Sequence, residues 1–279
     1  MPLIGINQDS FHKAEGGFPT FEEMIEGCAE LGLTLFEFCP EYLEQTPDVL
    51  TPERRRAAVK LGQSLGVKLL VHASFASVNC CFINAHTRAE SVRQLKREIE
   101  LAHDIESDAI TIHPGRPQGH FQWYPKGYFW DMLRRSYEEL LAHAEPLGVR
   151  ICTENISRDF VGPDESVAQI LADMDSEWFG LTLDFGHYNL IYNELPLPER
   201  MERMRAALGL FKDKIWVFHI HDNRGERDDH DALGTGQIDY DLLIPEVLRL
   251  GIDAYWSMEL AGIEAARVSK AKLEGFLAG

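Results

Sequence analysis

Residues Ile215 to Gly236 read IWVFHIHDNRGERDDHDALGTG. The stretch starts as a buried strand, with Ile215, Val217 and Phe218. It then breaks into His219, His221, Asp222, Asp228, Asp229, His230 and Asp231, and closes on Gly234 and Gly236. An apolar strand that delivers imidazoles and carboxylates at its C-terminal tip fits a site that holds a cation. His219 and His221 stand two residues apart, so both side chains leave the same face of the strand. Such a tip is chemically useful only if other parts of the chain bring matching ligands to it.

Working outward, the hydrophobic period alternates along the whole sequence between strand and helix. Strands are expected at Leu3–Asp9, Thr34–Cys39, Lys68–Ser74, Ala109–His113, Arg150–Asn155, Gly180–Asp184, Ile215–His221 and Ala254–Leu260. Helices are expected at Thr20–Leu31, Pro52–Leu65, His86–Ile105, Tyr128–Leu147, Pro163–Met174, Leu197–Leu210, Tyr240–Leu250 and Ile263–Leu277. Thr20 and Thr51 supply N-caps, with Pro52 at the first helical position. Gly32, Gly66, Gly148 and Gly251 stop the helices that precede them. Strict alternation implies parallel strands joined by helical crossovers. Eight such units in 279 residues match a closed (β/α)8 TIM barrel, an α/β fold with one domain over residues 1–279.

In that fold the chemistry sits at the C-terminal ends of the strands. Those ends carry Gln8-Asp9, Glu37, His72, His113, Glu154, Asp184 with His187 three residues on, His219 with His221, and Glu259. Residues 72, 113, 154, 184, 219 and 259 are 41, 41, 30, 35 and 40 apart, about one strand–helix unit each time. Barrel closure turns these tips toward one axis. Carboxylates crowded there repel one another unless a cation lies between them. Mixed imidazole and carboxylate donors suit Zn²⁺, Mn²⁺, Co²⁺ or Fe²⁺ better than Ca²⁺. Taken singly, each residue has a plainer reading. His72 or His113 would be a hydrogen-bonded strand-end histidine, Glu259 the partner of an arginine, and Asp228, Asp229 and Asp231 a solvated acidic loop. The shared phase of six tips argues against that. His12, His86, His103, His120 and His143 fall outside the pattern and read as surface or supporting groups.

Composition narrows the function classes. Hydrophobic residues make up 45% and charged residues 26%, an ordinary globular balance. No apolar run reaches the ~18 residues of a membrane span. The N-terminal MPLIGINQDS lacks a basic region and an apolar signal core. The five cysteines (Cys28, Cys39, Cys80, Cys81, Cys152) are an odd number without zinc-type spacing, so reduced thiols and a cytoplasmic protein are expected. Twenty-seven basic against 45 acidic residues give a net charge of −18, which opposes a surface that attracts nucleic acid.

The motifs VHASF (71–75), ITIHPG (110–115), ICTENIS (151–157), LTLDFGH (181–187), the stretch from Ile215, and WSMEL (256–260) together resemble the xylose isomerase-like barrel superfamily. That group includes sugar-phosphate isomerases and epimerases, related dehydratases, and endonuclease IV. The resemblance spans essentially the whole chain. It implies a divalent metal (Zn²⁺, Mn²⁺, Co²⁺ or Mg²⁺; one to three ions). In the isomerase and epimerase members the ligands fall on Glu154, Asp184, His219 and Glu259, and the two glutamates exchange protons with substrate carbon. His187 would then contact substrate, and Arg224 would bind a substrate oxygen. The three-zinc set of endonuclease IV falls on His72, His113, Glu154, Asp184, His187, His219, Asp228, His230 and Glu259, and the GTG at 234–236 echoes that family's glycine turn. The motif alignment puts His219 in the ligand position; His221 is the alternative ligand, or a substrate-binding or ligand-orienting group.

Two activities follow as expectations. The first is a metal-dependent isomerase, epimerase or related lyase acting on a small sugar, keto-sugar, polyol or sugar phosphate, compatible with a homo-oligomer. Phe11, Phe38, Phe75, Trp123, Tyr124 and Trp256 are candidates to wall its pocket, with ordinary barrel packing the plainer reading. The second is an endonuclease IV-like zinc phosphodiesterase acting on abasic DNA. The acidic or neutral loops QDSFHKAEGGFP (8–19) and FCPEYLEQTPD (38–48) oppose the second. A non-catalytic sugar- or metal-binding barrel fits less well, because both carboxylates with catalytic roles, Glu154 and Glu259, are present.

Overall fold

The computed structural model describes residues 2–12, 16–42, 44–117, 123–156 and 161–278. Eight parallel strands pair in sequence order: β1 (Ile4–Asn7), β2 (Leu35–Phe38), β3 (Lys68–His72), β4 (Ala109–Ile112), β5 (Arg150–Glu154), β6 (Phe179–Asp184), β7 (Ile215–Ile220) and β8 (Tyr255–Met258). β8 pairs back onto β1, with Met258 beside Ile6, and the barrel closes. The expected (β/α)8 barrel is therefore the fold.

The helices are α1 (Phe21–Glu30), α2 (Pro52–Leu65), α3 (Ala85–Asp104), α4 (Lys126–Ala144), α5 (Asp164–Met174), α6 (Phe185–Ile191), α7 (Leu197–Phe211), α8 (Tyr240–Leu250) and α9 (Ile263–Ala278). Their ends obey local chemistry. Thr20 and Glu23 form a reciprocal capping box at α1, which satisfies two otherwise unpaired backbone donors. Thr51 caps α2, Pro52 opens it, and Gly66 ends it in the left-handed region at φ 71°. α1 buries Phe21, Met24, Ile25 and Cys28, one face at helical spacing.

Side chains alternate along each strand, so one parity faces the barrel axis. Leu35, Leu70, Ala109, Cys152 and Val217 form their own small buried cluster. They share that inward parity with Glu37, His72, His113, Glu154 and His219, and plug the barrel beneath them. The other parity packs against the helices in the main core, for example Phe36, Val71, Ile110, Ile151 and Phe218. Register sets the tips at one level: Asn7 lies opposite Glu37, and Asp184 opposite His219.

Three expectations need correcting. Eight helices were expected, whereas nine are present among the described residues, because α6 begins directly at the end of β6. Asp184 caps it, its Oδ1 accepting the His187 N–H at 2.6 Å. A short polar-aromatic segment without a full amphipathic repeat gives little periodic signal. The first strand was expected to reach Asp9, but it stops at Asn7, and Gln8–Phe11 form a 3₁₀ turn. Tyr128–Leu147 was expected as one helix; α4 stops at Ala144 and Glu145–Leu147 form a 3₁₀ turn around Pro146.

All five cysteines are buried. Among the described residues no helix is long and apolar enough to cross a membrane. His103 bonds the Leu147 carbonyl and His143 pairs with Glu100, on exposed helix surface; His120 lies outside the described residues.

Candidate active site

Glu154, the last residue of β5, is the hub of the strand tips. Its Oε1 lies 3.0 Å from His187 Nδ1 and 3.2 Å from His219 Nδ1. Its Oε2 lies 3.0 Å from His113 Nε2 and 3.3 Å from His72 Nε2. One carboxylate thus meets imidazoles from β3, the residue after β4, α6 and β7. Asp184 lies 3.4 Å from His187 Nδ1 and 3.7 Å from His219 Nδ1 through Oδ2, and 3.2 Å from His221 Nε2 through Oδ1. Glu259 Oε1 stands 3.6 Å from His219 Nδ1.

Asp228 and His230 belong to the same cluster. Asp228 Oδ2 is 3.0 Å from His187 Nε2 and 3.4 Å from His230 Nε2. The His230 ring stacks on His221 with centroids 4.2 Å apart. His221 fits there because residue 186 is glycine; a Cβ on Gly186 would lie 1.9 Å from the imidazole. All the candidate ligands therefore converge. Arg224 stands apart: it is exposed, and its guanidinium donates to the Thr235 carbonyl at 3.4 Å.

Burial and charge set the protonation of the cluster. Burial pushes the Glu154 carboxyl up, but the imidazoles of His219 and His113 hold it well below the usual carboxylate range. Glu259 is pushed up by burial, and His219 and His230 only partly offset this. Burial lowers His219, yet the charges of Glu259, Glu37 and Glu154 raise it well above an ordinary histidine. His113 is lowered, chiefly by burial. In the metal-free site two carboxyls on one chamber are thus driven in opposite directions.

The donor set fits a divalent cation. Imidazole nitrogens and carboxylate oxygens approach within 4.8 Å of one another in four trios: His72, His113 and Glu154; Glu154, Asp184 and His187; His72, His219 and Glu259; and His221, His230 and Glu259. His187 Nδ1 and His221 Nδ1 are buried without a well-formed hydrogen bond. Buried ring nitrogens of this kind among carboxylates suit a cation that accepts their lone pairs.

An inner chamber of about 180 Å³ reaches the cluster and is lined by Glu37, His72, Phe75, His113, Glu154, His187, Asp228, His230 and Glu259, with Phe38, Cys39 and Tyr42 at its side. It opens to an outer cleft of about 840 Å³ that shares Phe75, His113, His187 and Asp228 and adds Arg116 and Arg227. Of the aromatics considered as pocket walls, Phe38 and Phe75 line the chamber. Phe11 packs edge-on against Phe36, Trp256 is buried against Phe218, and Trp123 and Tyr124 are exposed.

Sequence reasoning passed over several supporting groups. Asn155 ties β5 to β6, its side chain accepting the Asp184 N–H at 2.8 Å and donating to the Asp184 carbonyl at 3.0 Å. Glu41 accepts the N–H groups of Phe75, Ala76 and Ser77 at 3.0, 2.9 and 2.7 Å. Glu37 was visible as the tip of the second strand but was left outside the ligand set.

A family model described as xylose isomerase-like TIM barrel matches residues 25–276. An uncharacterized protein of Methanocaldococcus jannaschii, MJ1311, is 28% identical over 237 residues, 82% of this chain and 76% of the relative. A probable endonuclease 4 of Malacoplasma penetrans is 26% identical over 185 residues, 63% of this chain and 61% of the relative. The crystal structure of a D-tagatose 3-epimerase-like protein superposes with a TM-score of 0.82 at 25% identity, covering 100% of this chain and 97% of that one.

Proposed function

The chain belongs to the xylose isomerase-like TIM barrel family, and on that premise we propose that it is a divalent-metal-dependent isomerase or epimerase of a small sugar, keto-sugar, polyol or sugar phosphate. The observation that carries this reading is the placement of Glu154 and Glu259 around one chamber, 3.2 and 3.6 Å from the same atom, His219 Nδ1. Glu154, held ionised by its imidazoles, takes a proton from substrate carbon. Glu259, across the chamber from it, returns a proton to carbon once it has received one. His187 stands at the junction of chamber and cleft and orients substrate hydroxyls. Glu154, Asp184, His219 and Glu259 would hold one ion (Zn²⁺, Mn²⁺, Co²⁺ or Mg²⁺), which supplies Lewis acidity toward the substrate's carbonyl and hydroxyl oxygens. The D-tagatose 3-epimerase-like neighbour supports this substrate class. The test is deuterium uptake from solvent across a panel of keto-sugars and their phosphates. Exchange is expected, with a fall of about 10²–10⁴ in rate for Glu154→Gln and Glu259→Gln; no exchange into any member overturns the reading.

A second reading, an endonuclease IV-like zinc phosphodiesterase, draws on the convergence of all nine residues of that set and on the endonuclease 4 relative. The net charge of −18 works against it, because binding a polyanion draws on clustered cations. Cleavage of an abasic-site duplex would establish it in place of the first.

A further inference from the structure

β2 carries, one residue before its end, a carboxylate that the ligand set above does not use. Glu37 is fully buried. Its oxygens lie 3.2 Å (Oε2) and 3.3 Å (Oε1) from His219 Nε2. The opposite nitrogen of the same ring, Nδ1, faces Glu154 Oε1 at 3.2 Å, Glu259 Oε1 at 3.6 Å and Asp184 Oδ2 at 3.7 Å. The imidazole is therefore bracketed, with one carboxylate behind it and three in front. Residues 37 and 219 are 182 apart in sequence, and they meet because barrel closure turns inward-parity tips of β2 and β7 toward the axis.

We propose that Glu37 is the positioning residue of this site: its carboxylate accepts the Nε2–H of His219, and so leaves the Nδ1 lone pair aimed at Glu154, Asp184 and Glu259 as the metal-ligating nitrogen. A neutral imidazole has one donor and one acceptor nitrogen, and a carboxylate beside Nε2 demands the donor there. The same bond fixes the ring's rotation and makes Nδ1 a stronger ligand. Glu37 belongs to none of the donor trios close enough to share an ion, which separates it from the ligands. The arrangement also decides between His219 in β7 and His221 just after it. His221 has its Nε2 3.2 Å from Asp184, a member of the ligand set, and 3.7 Å from Asp228, and its Nδ1 is unsatisfied; of the two, His219 is the one with a fully buried carboxylate outside that set at hydrogen-bond distance behind it. The inference rests on the proposed ligand set, but its test needs no substrate.

Mn²⁺ binding to the full chain is measured by titration calorimetry for wild type, Glu37→Gln and Glu37→Met. Both replacements keep the length of the side chain, and only Gln keeps an oxygen acceptor. Glu37→Met is expected to bind Mn²⁺ about 10–100-fold more weakly, with Glu37→Gln restoring most of the loss. A purely structural role would treat the two variants alike, so equal weakening, or wild-type affinity in Glu37→Met, overturns the proposal. A second readout holds if a variant does not fold. The Co²⁺-loaded wild type should show a solvent-exchangeable, paramagnetically shifted Nε2–H proton of His219, and its absence is fatal to the assignment. Weakened Mn²⁺ binding in Glu37→Met without any sugar exchange in wild type would leave the role of Glu37 standing and overturn the isomerase reading alone.

Discussion

Gly236 and Asp222 are in contact so close that a Cβ on Gly236 would lie 2.3 Å from Asp222 Oδ1, while the Gly236 N–H donates to Asp222 Oδ2 at 3.0 Å. The Asp222 carboxylate also accepts from Asn223, Gly234 and Ile238 at 2.9, 2.9 and 3.1 Å. It is wholly buried at the end of β7, and it bridges backbone to Asp231 in an antiparallel pair. The segment that presents Asp228 and His230 is thus closed by one buried carboxylate filling a backbone nest, and the glycines of GTG are the residues that let the chain approach it.

Replacing Asp222 with Ala should therefore cost about 2–4 kcal/mol, since several buried N–H donors lose their acceptor together. Gly236→Ala should be destabilising as well, because the atom it would strike is held by those bonds. Denaturant unfolding of both variants measures this. A loss below about 0.5 kcal/mol for Asp222→Ala, the range of ordinary surface changes, would mean that the nest does not hold the loop.

Glu41 does for the chamber wall what Asp222 does for the loop. Its carboxylate gathers the N–H groups of Phe75, Ala76 and Ser77, and Phe75 packs on His72 and His113 with ring centroids 5.6 and 4.9 Å away. Burial raises the Glu41 carboxyl, but Ser77 and the backbone N–H groups more than offset it and hold the carboxyl below its ordinary value of 4.5. A lowered folded-state value means that stability is present above 4.5 and is lost as pH falls through the lowered value. Glu41→Ala should lower stability by about 1–2 kcal/mol at pH 7 and raise KM several-fold, with bound metal unchanged. The melting curves of wild type and variant should converge in acid; a gap that persists there would place the stabilisation elsewhere.

How much of this was legible beforehand follows from physical cause. Strand tips repeat at about one strand–helix unit, so His72, His113, Glu154, Asp184, His219 and Glu259 could be read as one ring from spacing alone. Glu37 shares that phase, yet a lone glutamate after an apolar strand has no local mark, and its partner is 182 residues away. The cap that starts α6 was hidden in another way. Asp184 was already accounted for as a ligand, and its second role, accepting the His187 N–H, shows only when the backbone turns. Asp222, Glu41 and Asn155 act through backbone N–H groups, which carry no side-chain signature for a sequence to display.

Metal binding should be strongly pH-dependent. In the metal-free protein burial lowers His230, but Asp228 and Glu259 raise it to about 9 from 6.5. A raised folded-state value contributes stability that is complete below 6.5 and is lost as pH rises through about 9. His219, the ligand, is raised in the same direction, and a metal must displace its proton. Apparent Mn²⁺ affinity should therefore climb with pH between about 6 and 8, by about tenfold per unit for each proton released. Calorimetry in buffers of different ionisation enthalpy counts those protons; a flat affinity would show that the ligand histidines enter binding already neutral.

The number of ions turns on Asp228 and His230. With one ion on Glu154, Asp184, His219 and Glu259, Asp228 serves His187, whose Nε2 it meets at 3.0 Å, and His230 is held by Asp228 and by the Glu259 carbonyl at 3.1 Å. Elemental analysis should then find one divalent ion per chain. Asp184→Ala and His219→Ala should reduce it to less than about a tenth, since each removes a ligand and leaves buried charges without a partner. Asp228→Ala should keep the ion and raise KM by about 3–10-fold, through loss of one charge-assisted hydrogen bond to His187. A wild-type content of two or three ions that falls in Asp228→Ala and His230→Ala would instead make both residues ligands and favour the phosphodiesterase. Full metal content in both Asp184→Ala and His219→Ala would remove the basis for either enzyme.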